Sequence, residues 1–181
     1  LGLFCGHTSR QELLDQVLAM KQTDWKQVVS FRFRKGLWRG HAEACMKDGS
    51  VRTWPTSFYN LYQNLFILSH APCMNCTDHF AETADISCGD IWRLKHRRDT
   101  VKRSIFAVRT PEAENAVNSA LQQKELICSR ETERDLFLAN SRSAIFHKAI
   151  RARAAAGRLF GLRIAVPSGA PRARWNEFAA A

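Results

Sequence analysis

The stretch "APCMNCTDHFAETADISCGDIW", residues 71–92, carries three cysteines in one segment. Cys73 and Cys76 are separated by two residues, and Cys88 stands just before a Gly-Asp pair. A tight turn can present two thiols at CxxC spacing on the same side, where one metal centre can take both. The stretch therefore predicts a metal or redox site, and the rest of the sequence indicates which kind.

The composition is that of a globular protein. Of 181 residues, 45% are hydrophobic and 24% are charged, and no apolar run approaches the roughly 20 residues of a membrane helix. No signal peptide is visible, so we expect a soluble, cytoplasmic protein without a membrane span. The chain opens with "LGLFC", residues 1–5, which we interpret as the end of a buried strand. We expect it to be the C-terminal part of a longer polypeptide.

Positive charge is concentrated towards the C-terminus. The formal net charge is +10, and residues 136–181 contain eight Lys or Arg against one Glu. Residues 157–181 are rich in Gly, Pro and Arg, and they predict a loose basic tail after a domain over 1–156. Because the basic character lies mainly towards this end, it is weak support for nucleic-acid binding by the domain.

The first half predicts a helix, a hairpin and a second helix. "SRQELLDQVLAMK" opens with Ser9 and Glu12 in a capping box and continues as an amphipathic helix. "VVSFRFRKG", residues 28–36, alternates apolar and polar or basic side chains, as in a half-buried strand with one basic face. Asp48-Gly49 predicts a hairpin turn, and a core-facing helix is expected after Pro55.

The second half predicts a βαβ unit. "SIFAVRT", residues 104–110, predicts a strand, Thr110-Pro111 the start of a helix, and "ELICSR", residues 125–130, the returning strand. A further helix is expected over 131–156. We therefore expect an α+β or α/β fold with a mixed sheet, flanking helices, a cysteine-rich cluster loop and a basic tail.

The cysteines allow three interpretations. Zinc takes four N or S ligands in a closed tetrahedron, and besides the one CxxC only His70 and His79 are candidates for it. A [4Fe–4S] cluster takes four thiolates that can come from separated loops, and then Cys5 is a natural third ligand and Cys88 a possible fourth. The third interpretation is that no metal binds. Two other cysteines are expected to be ordinary, partly buried strand thiols: Cys45 and Cys128.

The segment "CMNCTDHFAETADISCGDIW" resembles the signature CxxCxDxxxxxADISxGDxW of the coenzyme F420 hydrogenase/dehydrogenase beta-subunit family, C-terminal domain. "LGLFC", "FRFRKGLWRG" (residues 31–40) and "SIFAVRT" follow in the family's order. The resemblance covers roughly residues 1 to 150, and bacterial members associated with polysaccharide synthesis are the most similar in appearance.

The resemblance implies an iron–sulfur flavoprotein oxidoreductase with a [4Fe–4S] cluster and FAD. Electrons would pass between a redox partner subunit or ferredoxin-like donor and a deazaflavin (coenzyme F420) or another organic acceptor. Cys5, Cys73 and Cys76 match family cysteines expected to bind the cluster. A further ligand is expected from an upstream Thr-Pro-Cys type motif, which this chain lacks. The family pattern usually has no cysteine at position 88, so Cys88 is either a replacement ligand or a bystander.

A flavin needs positive charge for its pyrophosphate and apolar cover for its ring. Three basic residues on the predicted strand and its exit, Arg32, Arg34 and Lys35, are expected to serve the anionic groups. Gly36 would allow close approach of the backbone. The alternative for this strand is an ordinary solvated face. From the signature, Gly89 and Asp90 are also expected near the cofactors, and no catalytic residue is assigned.

Two rival functions remain open from the sequence. The first is a zinc-stabilised module whose basic tail, residues 142–174, binds nucleic acid, against which stands the concentration of positive charge towards the C-terminus. The second is a cofactor-free interaction subunit that has lost the family chemistry. Iron, zinc and flavin content separates all three functions.

Overall fold

The computed structural model describes residues 1–37, 40–66, 68–96, 98–170 and 172. The chain divides into two compact units. Unit 1 comprises Leu1–Gly6, Met74–Leu94 and the described residues from Arg103 onward, and unit 2 comprises the described residues of His7–Cys73 and Lys95–Lys102. Helices accompany a mixed and an antiparallel sheet. The predicted α+β class with a mixed sheet is confirmed.

The secondary-structure elements follow in chain order. The strands are β1 (Gly2–Leu3), β2 (Val28–Lys35), β3 (His41–Met46), β4 (Val51–Pro55), β5 (Ile86–Asp90) and β6 (Ser104–Val108). The helices are α1 (Gln11–Met20), α2 (Ser57–Gln63), α3 (Ala71–Asn75), α4 (Pro111–Gln122), α5 (Glu133–Ala139), α6 (Ser141–Lys148) and α7 (Ile150–Arg158). Short 3-10 turns span Trp25–Gln27 and Leu94–His96.

Unit 2 is built on the antiparallel sheet β2-β3-β4. Gly49 turns the β3–β4 hairpin with a φ of +82°, so the predicted turn is confirmed. The core of the unit is apolar and joins β3 to the helices α1 and α2: Leu13, Leu14, Val17, Leu18, Ala42, Phe58 and Tyr59. The i, i+4 spacing in α1 predicted this stripe correctly.

Two details of the predicted helices in unit 2 are wrong. The N-cap of α1 is Arg10, without a side-chain cap. Ser9 does not cap because its backbone forms a bridge with Ser69 and its hydroxyl bonds to His7 Nε2 at 3.4 Å. The helix after Pro55 was also expected to face the core with Leu61 and Leu65, but α2 ends at Gln63 and both side chains are exposed.

Unit 1 is built on the mixed sheet β1-β5-β6. Strand β1 runs parallel to β5, and β6 runs antiparallel to β5. The strand at the start of the chain is not buried as predicted. It has two paired residues at the sheet edge, and Leu3 is 74% exposed. Apolar packing in this unit includes Ile91, Ile105 and Ala139, with Phe4 against them.

The predicted βαβ unit does not form. The strand β6 and the helix α4 are present, and Thr110 caps α4 through its hydroxyl. Residues 126–132, however, have no regular secondary structure, and Ile127 is 96% exposed. The apolar run there is short, and without a neighbouring strand to pair with it cannot form a ladder. Cys128 is accordingly exposed and lies outside any strand, contrary to the prediction.

The helix predicted over 131–156 is divided into α5, α6 and α7. The breaks fall at Asn140 and Ala149, where the backbone leaves helical geometry. At the first break, Asn140 Nδ2 donates to the Asp90 carbonyl at 3.2 Å, so a tertiary contact replaces helical continuity.

The region predicted as a tail begins inside ordered structure. Helix α7 continues to Arg158, and Ile164 packs against Gly157, where an added Cβ would lie 2.9 Å from Ile164 Cδ1. Residues 171 and 173–181 lie outside the described residues, so the division at 156/157 stays a prediction. None of the described helices is long and apolar enough to cross a membrane.

Candidate cysteine site

All six cysteines are free thiols. Three of the four predicted ligands belong to unit 1 and one belongs to unit 2. Unit 1 contains Cys5, Cys76 and Cys88, of which the first is exposed and the other two are half-buried. Cys73 belongs to unit 2. Cys45, predicted to be a spectator, is half-buried within β3 as expected.

The mixed sheet brings the Cys5 segment next to Cys88. Leu3 pairs with Cys88 across β1 and β5, and the Phe4 amide donates to the Cys88 carbonyl at 2.8 Å. Cys5 then leaves the sheet and pairs with His79: its amide donates to the His79 carbonyl at 2.9 Å. In return, His79 Nδ1 donates to the Cys5 carbonyl at 2.8 Å. The backbone of Cys5 is therefore fixed on both sides.

A histidine from α6 links the Cys5 and Cys76 segments. His147 is buried, and its Nδ1 donates to the Cys76 carbonyl at 3.1 Å. Its Nε2 donates to the Gly6 carbonyl. One side chain thus holds two cysteine-bearing segments together.

Arg153 from α7 binds the backbone of the same cysteine-bearing segment, at Met74 and Cys76. The Nε of Arg153 donates to the Met74 carbonyl at 2.9 Å, and one terminal nitrogen donates to the Cys76 carbonyl at 2.8 Å. The other terminal nitrogen donates to the Phe146 carbonyl, and the guanidinium lies 4.3 Å from the centre of the Phe146 ring. Arg153 is 1% exposed. Burial lowers its pKa to about 10, so it remains charged at neutral pH.

Neither His147 nor Arg153 was singled out from the sequence. Arg153 was counted with the basic tail because of its charge. A signal was present, since Ile150, Arg153, Ala154 and Gly157 are buried at i, i+3, i+4 and i+7 of α7. An arginine on the buried stripe of an amphipathic helix needs internal partners, and this pattern identifies it as more than a surface cation.

The remaining histidine of the site is kept neutral by its surroundings. Burial lowers the pKa of His79, and the nearby His147 lowers it further. Its ring packs edge-on against Phe80, with the ring centroids 4.6 Å apart, and is tilted against Phe4. A neutral ring with its hydrogen on Nδ1 is the tautomer that donates to the Cys5 carbonyl.

Cys73 and Cys76 occupy different local structures. Cys73 lies in α3, and its sulfur accepts a hydrogen bond from the Thr8 amide at 3.3 Å, within unit 2. Cys76 follows the end of α3, and its thiol donates to the Asp78 carbonyl at 3.4 Å. The predicted cysteine-rich loop is thus partly helical.

No closed metal site is preformed in the described part of the chain. Among residues 1–37, 40–66, 68–96, 98–170 and 172, no three His, Cys, Asp or Glu side chains are grouped so that they could hold a metal ion. The thiols suit an iron–sulfur cluster by donor chemistry, whereas their side chains do not form a complete ligand shell. The ligand assignments of Cys5, Cys73, Cys76 and Cys88 stay predictions.

The predicted basic strand of unit 2 is present as β2, but its apolar face is not buried as predicted, since Val29 is 67% and Phe33 is 47% exposed. One of its cations is also already paired. Lys35 Nζ lies 2.8 and 2.6 Å from the two oxygens of the Glu43 carboxylate. This hydrogen bond lowers the pKa of Glu43. A bulge places Arg32 opposite Glu43 and Lys35 opposite His41, so both cations share a sheet face with the carboxylate. Arg32 and Arg34 are exposed.

The backbone conformation or the packing favours glycine at two positions predicted to lie near the cofactors. Gly36 follows β2 with a φ of +85°, a conformation that favours glycine. Gly89 lies under the Phe4 ring, and an added Cβ would meet Phe4 Cδ2 at 2.5 Å. Asp90 ends β5, and its carbonyl accepts from Asn140. The cofactor roles assigned to these residues stay predictions.

The sequence model for the C terminus of the coenzyme F420 hydrogenase/dehydrogenase beta subunit matches residues 1–134. The chain belongs to this family. A comparison with curated proteins gave no match. The family is one of oxidoreductase subunits, and a beta subunit works with other subunits of an enzyme. The matched range contains Cys5, Cys73, Cys76 and Cys88, whereas His147 and Arg153 lie beyond it.

Proposed function

We propose that this chain is the C-terminal domain of an iron–sulfur flavoprotein subunit. Its enzyme would pass electrons between a [4Fe–4S] cluster and FAD, and exchange hydride with a deazaflavin or another organic acceptor. The observation that carries the proposal is the shared backbone network of Cys5, Cys76 and Cys88 in unit 1 of a chain that belongs to this family.

The proposed cluster ligands in unit 1 are Cys5, Cys76 and Cys88. A bound cluster would supply one-electron transfer, and thiolates are its usual ligands. The chain's own contribution is to fix the backbone at these positions. His79 and β5 hold the Cys5 segment, and His147 holds the Cys76 loop. A ligand role for Cys73 rests on the CxxC spacing and the family signature.

For FAD, the exposed Arg32 and Arg34 on β2 are the proposed contacts of the pyrophosphate. Lys35 is a weaker candidate than the sequence suggests, because the Glu43 carboxylate already neutralises its charge. Binding an anion there would require Lys35 to share or break this ion pair. The two arginines are proposed as contacts because both are exposed on this strand.

The test is the composition of the full-length protein purified without oxygen. We expect a brown protein with about four irons per cluster and bound flavin. Stoichiometric zinc without iron or flavin would overturn the proposal in favour of the zinc-stabilised module. Protein that folds but holds neither metal nor flavin would favour the interaction subunit.

A further inference from the structure

The strongest unexplained feature is the buried charge of Arg153. Its side chain is 1% exposed, and each of its three guanidinium nitrogens donates to one backbone carbonyl: those of Met74, Phe146 and Cys76. Within the described part of the chain, no carboxylate forms an ion pair with it. A buried cation is costly unless something compensates its charge, and neutral carbonyls do so only in part.

The buried charge of Arg153 lies next to the backbone of Cys76. The guanidinium holds the backbone of Cys76 directly, and His147 binds the same carbonyl. The group that the positive charge faces is therefore the sulfur-bearing loop itself.

We propose that Arg153 is a positioning residue of the cysteine site that fixes the backbone of residues 74–76 and gives Cys76 a positive local potential. This potential favours negatively charged groups at the sulfur, whether a small anion, a thiolate or an anionic metal cluster. Arg153 lies outside the family match at residues 1–134. The charge lies on helix α7.

The local potential can be measured with two thiol reagents of nearly equal size. Iodoacetate and iodoacetamide react by the same step: the Cys76 thiolate attacks the carbon, a C–S bond forms and iodide leaves. Both reagents consume the same thiolate, so the ratio of their rates does not depend on how much thiolate is present. The ratio reports whether a negative reagent is favoured over a neutral one.

The measurement uses the full-length protein freed of metal, with the Cys76 peptide followed by mass spectrometry. We expect the iodoacetate-to-iodoacetamide ratio at Cys76 to be about threefold or more higher in folded protein than in urea. Arg153→Gln should lower the ratio at least halfway towards its value in urea, and Arg153→Lys, which keeps the charge, should retain most of it. Arg158→Gln, an exposed cation of the same helix, should leave it unchanged.

An equal ratio in folded and urea-treated wild-type protein would overturn the proposal, even if Arg153→Gln fails to fold. A ratio that survives in folded Arg153→Gln, or is lost equally in Arg153→Lys, would reduce Arg153 to a scaffold for the backbone. The inference concerns the site of the proposed function, but its test needs no cluster. Failure to find iron and failure of this inference are therefore separate results.

Discussion

Gly89 lies where the Phe4 ring crosses β5. Replacing it with alanine would place a methyl group 2.5 Å from Phe4 Cδ2, closer than carbon atoms can approach. The ring would have to move, and overpacking of this kind costs about 1–3 kcal/mol. We expect Gly89→Ala to lower the free energy of unfolding by that amount in a urea titration. Gly169→Ala is the matched control, because no atom of the described residues lies within 4 Å of its added Cβ.

The comparison of the two glycine variants tests whether Gly89 is needed for packing against Phe4. If both glycine variants unfold at the same urea concentration, the Phe4 contact does not support unit 1. The expected place of Gly89 near the cofactors stays a prediction, and the sequence contained no sign of its contact with Phe4. The two residues are far apart in the chain and meet only because β1 pairs with β5.

At the scale of elements, the two predicted helix starts differ in their chemistry. Thr110 Oγ1 accepts a hydrogen bond from the Ala113 amide at 3.3 Å, and Pro111 occupies the first turn of α4. Loss of such a cap costs about 0.5–2 kcal/mol. Thr110→Ala should therefore lower the free energy of unfolding by about 1 kcal/mol, as measured by urea denaturation.

The matched control is Ser9→Ala before α1. Because Ser9 does not cap its helix, we expect a change within about 0.5 kcal/mol. A larger effect at Ser9 than at Thr110 would contradict the assignment of the caps. Both sites have a Ser or Thr in a suitable pattern, and only tertiary pairing distinguishes them. Ser9 is held in a bridge with Ser69, which no local pattern contains.

The elements with strong local patterns were predictable. The stripe of α1, the strand β2, the turn at Gly49 and the start of α4 all follow from periodicity and turn chemistry. The return strand at 125–130 was wrong because three apolar residues cannot specify a partner. The long helix over 131–156 was wrong because Asn140 bonds to Asp90, fifty residues away in the chain.

At the scale of the whole molecule, the site combines predictable and unpredictable parts. The CxxC and the family signature identify Cys76 and its neighbours from the sequence alone. The side chains that hold their backbone come from α6 and α7: His147 bonds to the carbonyl of Cys76, 71 positions earlier. Spacing rules describe ligands within one turn or loop, and they cannot show which distant helix supports that loop.

The iron content of cysteine variants of the full-length protein, purified without oxygen, tests the proposed cluster most directly. Serine is a poor ligand of similar volume, so Cys76→Ser should lose the cluster's visible absorption and most of its iron. Cys45→Ser is the control, since Cys45 lies half-buried within β3, and it should keep about four irons per cluster. Loss of iron in Cys5→Ser and Cys88→Ser would extend the ligand set. A Cys76→Ser protein that retains a full cluster would contradict the central claim.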